Sequence, residues 1–107
     1  MFVQTKTITV KEGTSQLVVD RFSGKGLIEN QDGFIDLSVL VKKQRRGAEE
    51  VIVLIRWESE MHWKQWEKSD DHLNMHKQNR GKPKPEHIIE SSQSVYEVKA
   101  VKGAAAS

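Results

Sequence analysis

Apolar and polar positions alternate through much of this chain, and the pattern predicts its elements in order. Over residues 2–10, Val3, Ile8 and Val10 interleave with Thr5, Thr7 and Thr9, a β-branched content that suits a first strand better than a helix. After Lys11-Glu12-Gly13, Thr14 or Ser15 can cap a helix carrying Leu17, Val18, Arg21 and Phe22 on one side, ended by Gly24 and Gly26. Beyond Gln31-Asp32-Gly33, Ile35, Leu37, Val39 and Val41 alternate with Phe34, Asp36, Ser38 and Leu40, predicting a half-buried second strand. A polar stretch with Gly47 gives way to the unbroken apolar run Val51-Ile52-Val53-Leu54-Ile55, a third strand buried on both faces and joined to the second by a hairpin.

From Trp57 to about Lys77 no Gly or Pro interrupts the chain, so helical structure is expected there. Residues 77–85, with two prolines and a glycine, read as a loop. Tyr96, Val98 and Ala100 alternate with Glu97 and Lys99 in a last strand. The order βαββαβ is that of the ferredoxin-like α+β fold, an antiparallel four-stranded sheet with helices on one face. Residues 1–102 form one domain and residues 103–107 a flexible tail. The third strand is apolar on both sides and the helices cover only one. The other face therefore predicts a ligand or a second subunit, and homodimerisation through the sheets is the expectation.

Composition narrows the chemistry. With 107 residues, a pairing of copies would help a modest core. A mean hydropathy of -0.62 argues against a membrane span, and the N-terminus lacks the layout of a secretory signal, so the cytoplasm is the expected compartment. Without cysteine there is no disulfide, thiolate metal site or cysteine nucleophile, and redox chemistry would need a bound cofactor. A net charge of +2 does not call for a nucleic-acid partner.

Trp57, Trp63 and Trp66 fall in one short stretch with His62, His72 and His76, in a chain with 3 Trp and 4 His. In an unbroken helix Trp66 and His76 would lie roughly 280° apart around the axis. Ser69 or Asp70 can cap a new short helix and let the two converge. Trp66 would then wall a flat ligand while His76 bound its metal, as in a haem site. Tryptophans three residues apart also serve as core packing, and a histidine on a polar helix is also commonly solvated. His62, His72 and His87 carry no comparable signal. A zinc site is not expected, since His72 and His76 have no evident third ligand and no HExxH pattern.

The segment WESEMHWKQWEKSDDHLNMHK, residues 57–77, resembles IsdG-type haem-degrading monooxygenases, in which a W-x-S-x(6)-W-x-K-S-D-x(5)-H arrangement precedes a basic loop. Lys11-Glu12-Gly13, the Arg21-Phe22 pair, the third strand and the Tyr-Glu-Val ending extend the likeness over nearly the whole chain, nearest to the HmoA-like branch. The resemblance implies a dimeric α+β barrel with one haem pocket per subunit between sheet and helices, in which haem is both cofactor and substrate. It also implies that His76 is the axial ligand of the haem iron, that Trp66 distorts the porphyrin, and that an external electron donor, a reductase, supplies electrons. Phe22 fits a pocket wall by its apolar pattern, and equally a helix-to-sheet core. The family's first-strand asparagine aligns with Lys6, which shares parity with Ile8 and Val10. Its ammonium could point inward as a donor to a haem propionate or bound oxygen species, or snorkel to solvent. Lys77, Arg80, Lys82 and Lys84 could approach the propionates or form a solvated basic loop.

Three other functions remain open from sequence. A haem-binding carrier would leave the ring intact. A cofactorless monooxygenase of the same fold would not need His76. A regulatory dimer module would bind no ligand in the pocket.

Overall fold

Strand β1, Phe2–Val10, places alternate residues on opposite faces of the sheet. Phe2, Gln4, Ile8 and Val10 are buried while Val3, Thr5, Thr7 and Thr9 are half-buried. The computed structural model describes residues 1–79, 81 and 84–105. Helix α1 (Ser15–Ser23) follows, then a single 3-10 turn (Ile28–Asn30), β2 (Phe34–Val41), β3 (Glu49–Trp57), α2 (Glu60–Lys68), α3 (Asp70–Asn79) and β4 (Ile88–Glu97). Both β3 and β4 pair antiparallel with β1, and β2 pairs antiparallel with β3, so the order across the sheet is β2-β3-β1-β4. The architecture is the expected ferredoxin-like α+β sheet. Within one chain the sheet is open, with β2 and β4 as its edges.

The register sorts the residues into two faces. Phe2, Gln4, Ile8 and Val10 sit opposite Trp57, Ile55, Val51 and Glu49. With Val53, Val18 and Trp66, the apolar members of this group form the buried core under the helices. Each fully buried Val or Ile there contributes roughly 1.5–3 kcal/mol. The opposite face carries Ile52 and Leu54, half-buried, and Leu40 and Tyr96, 46% and 54% exposed. Strand β3 is thus apolar on both faces, and the helices cover one.

Several boundaries and parities differ from the pattern-based expectation. Trp57 is not the start of a helix: it is the last residue of β3, fully buried, with Phe34 edge-on to it at 5.7 Å. In β2 the register shifts between Phe34 and Asp36. That bulge brings Phe34 onto the side of Leu37 and Val39 and leaves Ile35 exposed, the reverse of simple alternation. Leu17 is 53% exposed, so α1 packs through Val18 and Phe22 instead. Strand β4 begins at Ile88 and ends at Glu97, so Val98 and Ala100 lie beyond it. Its Glu90-Ser91-Ser92-Gln93-Ser94 segment is exposed along an edge and carries no hydrophobic alternation to betray it. Lys77 lies in the last turn of α3, not in a loop, and Lys84 donates through Nζ to the Ile89 carbonyl at 2.9 Å. Arg80 and Lys82 lie outside the described residues.

The expected interruption between the two C-terminal helices is at Ser69, whose ψ of 151° takes it out of the helical region. Its hydroxyl donates to the Trp66 carbonyl at 2.7 Å and accepts from the His72 backbone N–H at 3.2 Å. One side chain thus satisfies an end of each helix. Elsewhere, Glu49 on β3 accepts from the Ser15 backbone N–H at 3.0 Å, capping α1 from across the fold. That bond, above all, holds its carboxyl below the usual glutamate pKa.

Gly33 fixes the entry to β2. Its φ is +80°, and a Cβ built there would lie 2.1 Å from Cγ of the His62 ring. His62 is itself tied to Ser59, Nδ1 to Oγ at 2.8 Å, at the N-terminus of α2. Gly33→Ala is therefore expected to destabilise the fold by at least about 1–3 kcal/mol, from backbone strain before any displacement of α2. A urea unfolding curve should show a lower midpoint with the slope unchanged; an unshifted midpoint would refute the close packing.

Candidate functional site

The sheet-facing sides of α1 and of the bent pair α2–α3 do not close over the sheet completely. Between them lies a cleft of about 1060 Å³, at the top of the range of about 300–1,000 Å³ usual for small-molecule sites. Apolar walls come from Phe34, Leu37 and Val39 of β2, Ile55 of β3 and Phe22 of α1. Polar groups come from separate elements: Gln4 and Lys6 of β1, Arg21 and Ser23 of α1, Asp36 of β2, Glu67 of α2, His72 and His76 of α3 and Gln93 of β4, with Lys25 and Glu29 from the connection between α1 and β2.

Trp66, on the last turns of α2, is 5% exposed and lines the cleft. His76, one helix later, is exposed and lines it too. The break at Ser69 brings both to the same cavity, but their rings do not meet directly. His72 stands between them, its ring centroid 5.0 Å from that of Trp66 and 4.4 Å from that of His76. His72 Nδ1 lies 3.1 Å from the Glu67 carbonyl oxygen, and its Nε2 lies 3.3 Å from the Glu67 carboxylate and 3.1 Å from His76 Nε2.

Lys6 lies on the helix-facing side of β1, opposite Val53 and Gln93 in the neighbouring strands. Its Nζ is 5.8 Å from the centroid of the Phe22 ring, within cation–π range. Burial lowers its pKa below that of a free lysine; the Glu67 carboxylate opposes this by favouring the charged form, and Arg21 adds to the lowering. An ammonium so placed is desolvated and short of partners, which suits it to donate to an anionic or oxygen-bearing ligand.

Several polar residues of the cleft carried no site signal in the sequence, among them Gln4, Arg21 as a charged cleft residue, Glu67, His72 and Gln93. Gln4 is the clearest. It is 3% exposed, and its Oε1 has no hydrogen-bond partner among the described residues. Burying an amide oxygen without a partner costs free energy, which marks Gln4 as an unusual residue of the cleft's lining. Its signal in the sequence was parity, two residues before Lys6 and four before Ile8. That of His72 was its position one turn before His76. Of the remaining histidines, His62 belongs to the Gly33 packing, and Trp57 and Trp63 belong to the core or its margin, with Trp63 stacked 5.2 Å from Phe2.

The cleft is large enough for a sizeable, mostly apolar molecule. Apolar walls supply contact area, Trp66 a broad face, His76 a nitrogen for a metal, and Lys6 and Arg21 positive charge for acidic substituents.

The chain resembles known proteins along nearly its whole length. Residues 1–78 match the family described as Antibiotic biosynthesis monooxygenase. Heme-degrading monooxygenase HmoA of Bacillus subtilis is 60% identical over 102 residues, covering 95% of this chain and 94% of that protein. A heme-degrading monooxygenase of Halalkalibacterium halodurans is 33% identical, covering 96% of this chain and 86% of its own length. Among solved structures, a Bacillus cereus protein carrying the same family description superposes with a TM-score of 0.87 at 60% identity, over 99% of this chain and 98% of its own. The heme degrader MhuD of Mycobacterium tuberculosis, solved with two hemes in its active site, shares the fold with a TM-score of 0.68 at 22% identity, over 96% of this chain and 100% of its own.

Proposed function

Given that the chain belongs to the antibiotic biosynthesis monooxygenase family, we propose that it is a haem-degrading monooxygenase, opening the porphyrin ring with oxygen and external electrons and releasing the iron. The observation that carries this reading is the convergence of Trp66 and His76 on one apolar cleft, in a chain 60% identical to a heme-degrading monooxygenase. Haem is both cofactor and substrate: its iron handles oxygen and its macrocycle is what is opened.

The chain's own residues hold and shape that substrate. His76 offers a neutral ring nitrogen to the iron. Trp66, packed in the core on one side and lining the cleft on the other, would press its face on a bound porphyrin. Phe22 forms part of the opposing wall. Lys6 donates a hydrogen bond from β1. A donor reductase supplies electrons, because the cysteine-free chain has no redox group of its own. The apolar outer face of the sheet, with Leu40 and Tyr96 exposed, supports a homodimer in which two sheets close a barrel and bury their unpartnered faces.

One feature favours a second reading, a haem carrier. In the resemblance to the haem-degrading enzymes, Lys6 stands where an asparagine is usual, and a cation in that place need not support turnover. Titration with haemin, followed by a reductant in air with catalase present, separates the two by haem absorption. The enzyme reading expects a band that forms and then decays. A stable band would favour the carrier, and no band would overturn both.

A further inference from the structure

His76 Nε2 lies within hydrogen-bond distance, 3.1 Å, of Nε2 of His72. His72 is itself firmly held. Its Nδ1 meets the Glu67 carbonyl at 3.1 Å, its Nε2 faces the Glu67 carboxylate at 3.3 Å, its ring packs on Trp66, and its side chain is only 13% exposed. His76, on the next turn of the same helix, is exposed, so His72 is the fixed member of the pair.

Hydrogen-bond chemistry limits what this pair can be. A carbonyl oxygen only accepts, so His72 Nδ1 carries a proton. If His72 Nε2 carries a lone pair, His76 Nε2 donates its proton to it. If His72 Nε2 carries a proton, His76 Nε2 accepts it with its own lone pair. In either arrangement the nitrogen is occupied, whereas a metal needs it deprotonated and free.

We infer that His72 is a positioning residue that latches His76 through its Nε2, so that iron and His72 compete for the same nitrogen. This rests on the proposed role of His76 as the iron ligand. On release His72 Nδ1 keeps the Glu67 carbonyl, and a protonated Nε2 keeps the Glu67 carboxylate 3.3 Å away as its acceptor. The latch therefore opens by movement of the exposed ring alone, and His72, Glu67 and Trp66 stay in place as the wall of the cleft. A protein whose competent state is only partly populated binds with its affinity reduced by that fraction. His72 thus weakens and slows haem capture while holding the empty site in one arrangement.

Stopped-flow and equilibrium haemin titrations of the wild type, His72→Phe and His72→Leu test this. Phenylalanine keeps a ring against Trp66 and removes both nitrogens. Leucine does the same without adding aromatic contact to haem, and it provides a second variant should phenylalanine disturb packing. Both are expected to bind haemin about three- to tenfold more tightly and faster, the equivalent of one hydrogen bond. A second readout needs no haem: the His76 ring 15N resonances of the ligand-free protein should shift in both variants. Unchanged or weaker binding, with the wild type still forming a His76-dependent band, would overturn the latch and leave the haem reading standing; weaker binding would make His72 a brace for a ligand bound through Nδ1 of His76. Unmoved 15N resonances would also overturn it. No band in any of the three proteins would overturn the haem reading and the latch with it.

Discussion

His76→Ala is expected to abolish the haem absorption band of a ligated iron while leaving the protein folded. His76 is exposed and, among the described residues, its ring meets only His72 in aromatic contact, so its removal should change stability by no more than about 1.5 kcal/mol, the worth of its one hydrogen bond. Haemin affinity should fall much further. Residues that merely orient a metal ligand cost about 10–100-fold when lost, so loss of the ligand itself is expected to cost at least about 100-fold. A titration followed in the Soret region measures the affinity, and a thermal melt of the same sample measures the fold. A variant that kept both band position and affinity would move the iron ligand elsewhere in the cleft. His72 is then the first residue to examine, since it lines the same cavity. The contrast with His72→Phe is itself diagnostic, because the two substitutions on one helix face are expected to shift haemin affinity in opposite directions.

Trp66→Ala should show the opposite balance, a large loss of stability as well as of function. Trp66 is 5% exposed and belongs to the buried cluster that includes Val18, Val53 and Ile55. Truncating a buried tryptophan costs about 3–5 kcal/mol, a large share of the roughly 5–15 kcal/mol that holds a domain together. The melting temperature should therefore fall on the order of 15 °C. Function is read from Trp66→Phe, which refills most of the volume. That variant is expected to stay folded and bind haemin, yet to lose its absorption band more slowly in air with reductant and catalase, because a smaller ring presses less on the porphyrin. Decay at the wild-type rate would show that Trp66 contributes packing and no distortion.

The two sides of Trp66 explain why its sequence context was ambiguous. Spacing of three residues from Trp63 is equally a core pattern and a ligand wall, and in the fold both descriptions are true of different tryptophans. Trp57 lies wholly within the core, Trp63 stacks on Phe2 at its margin, and Trp66 faces the core and the cleft together. One-dimensional spacing has no means of dividing them, because the division depends on where β3 ends and on how far α1 reaches across the sheet.

Lys6 illustrates the same limit in electrostatics. Parity with Ile8 and Val10 put it on the core side of β1, but its desolvation, and the opposing charges of Glu67 and Arg21, come from elements far away in the chain. Gln4 shares that parity and was overlooked, since a glutamine near a chain end ordinarily faces water. It is buried because the neighbouring strands and helices close over it, leaving its Oε1 without a hydrogen-bond partner among the described residues.

By itself, the order of residues determined the α+β class, the strand-helix succession, the apolar character of both faces of β3 and the break at Ser69. Each of these follows from short-range chemistry: β-branched alternation, an uninterrupted apolar run, and a hydroxyl able to cap one helix while closing another. Only the tertiary structure decided the bulge that reverses Phe34 and Ile35, the true start of the polar edge strand β4, and the placing of His72 between Trp66 and His76. These depend on long-range pairing and on the packing of α2–α3 against the sheet. A register shift or a ring wedged between two others is settled by which surfaces meet, and local pattern does not encode the partner.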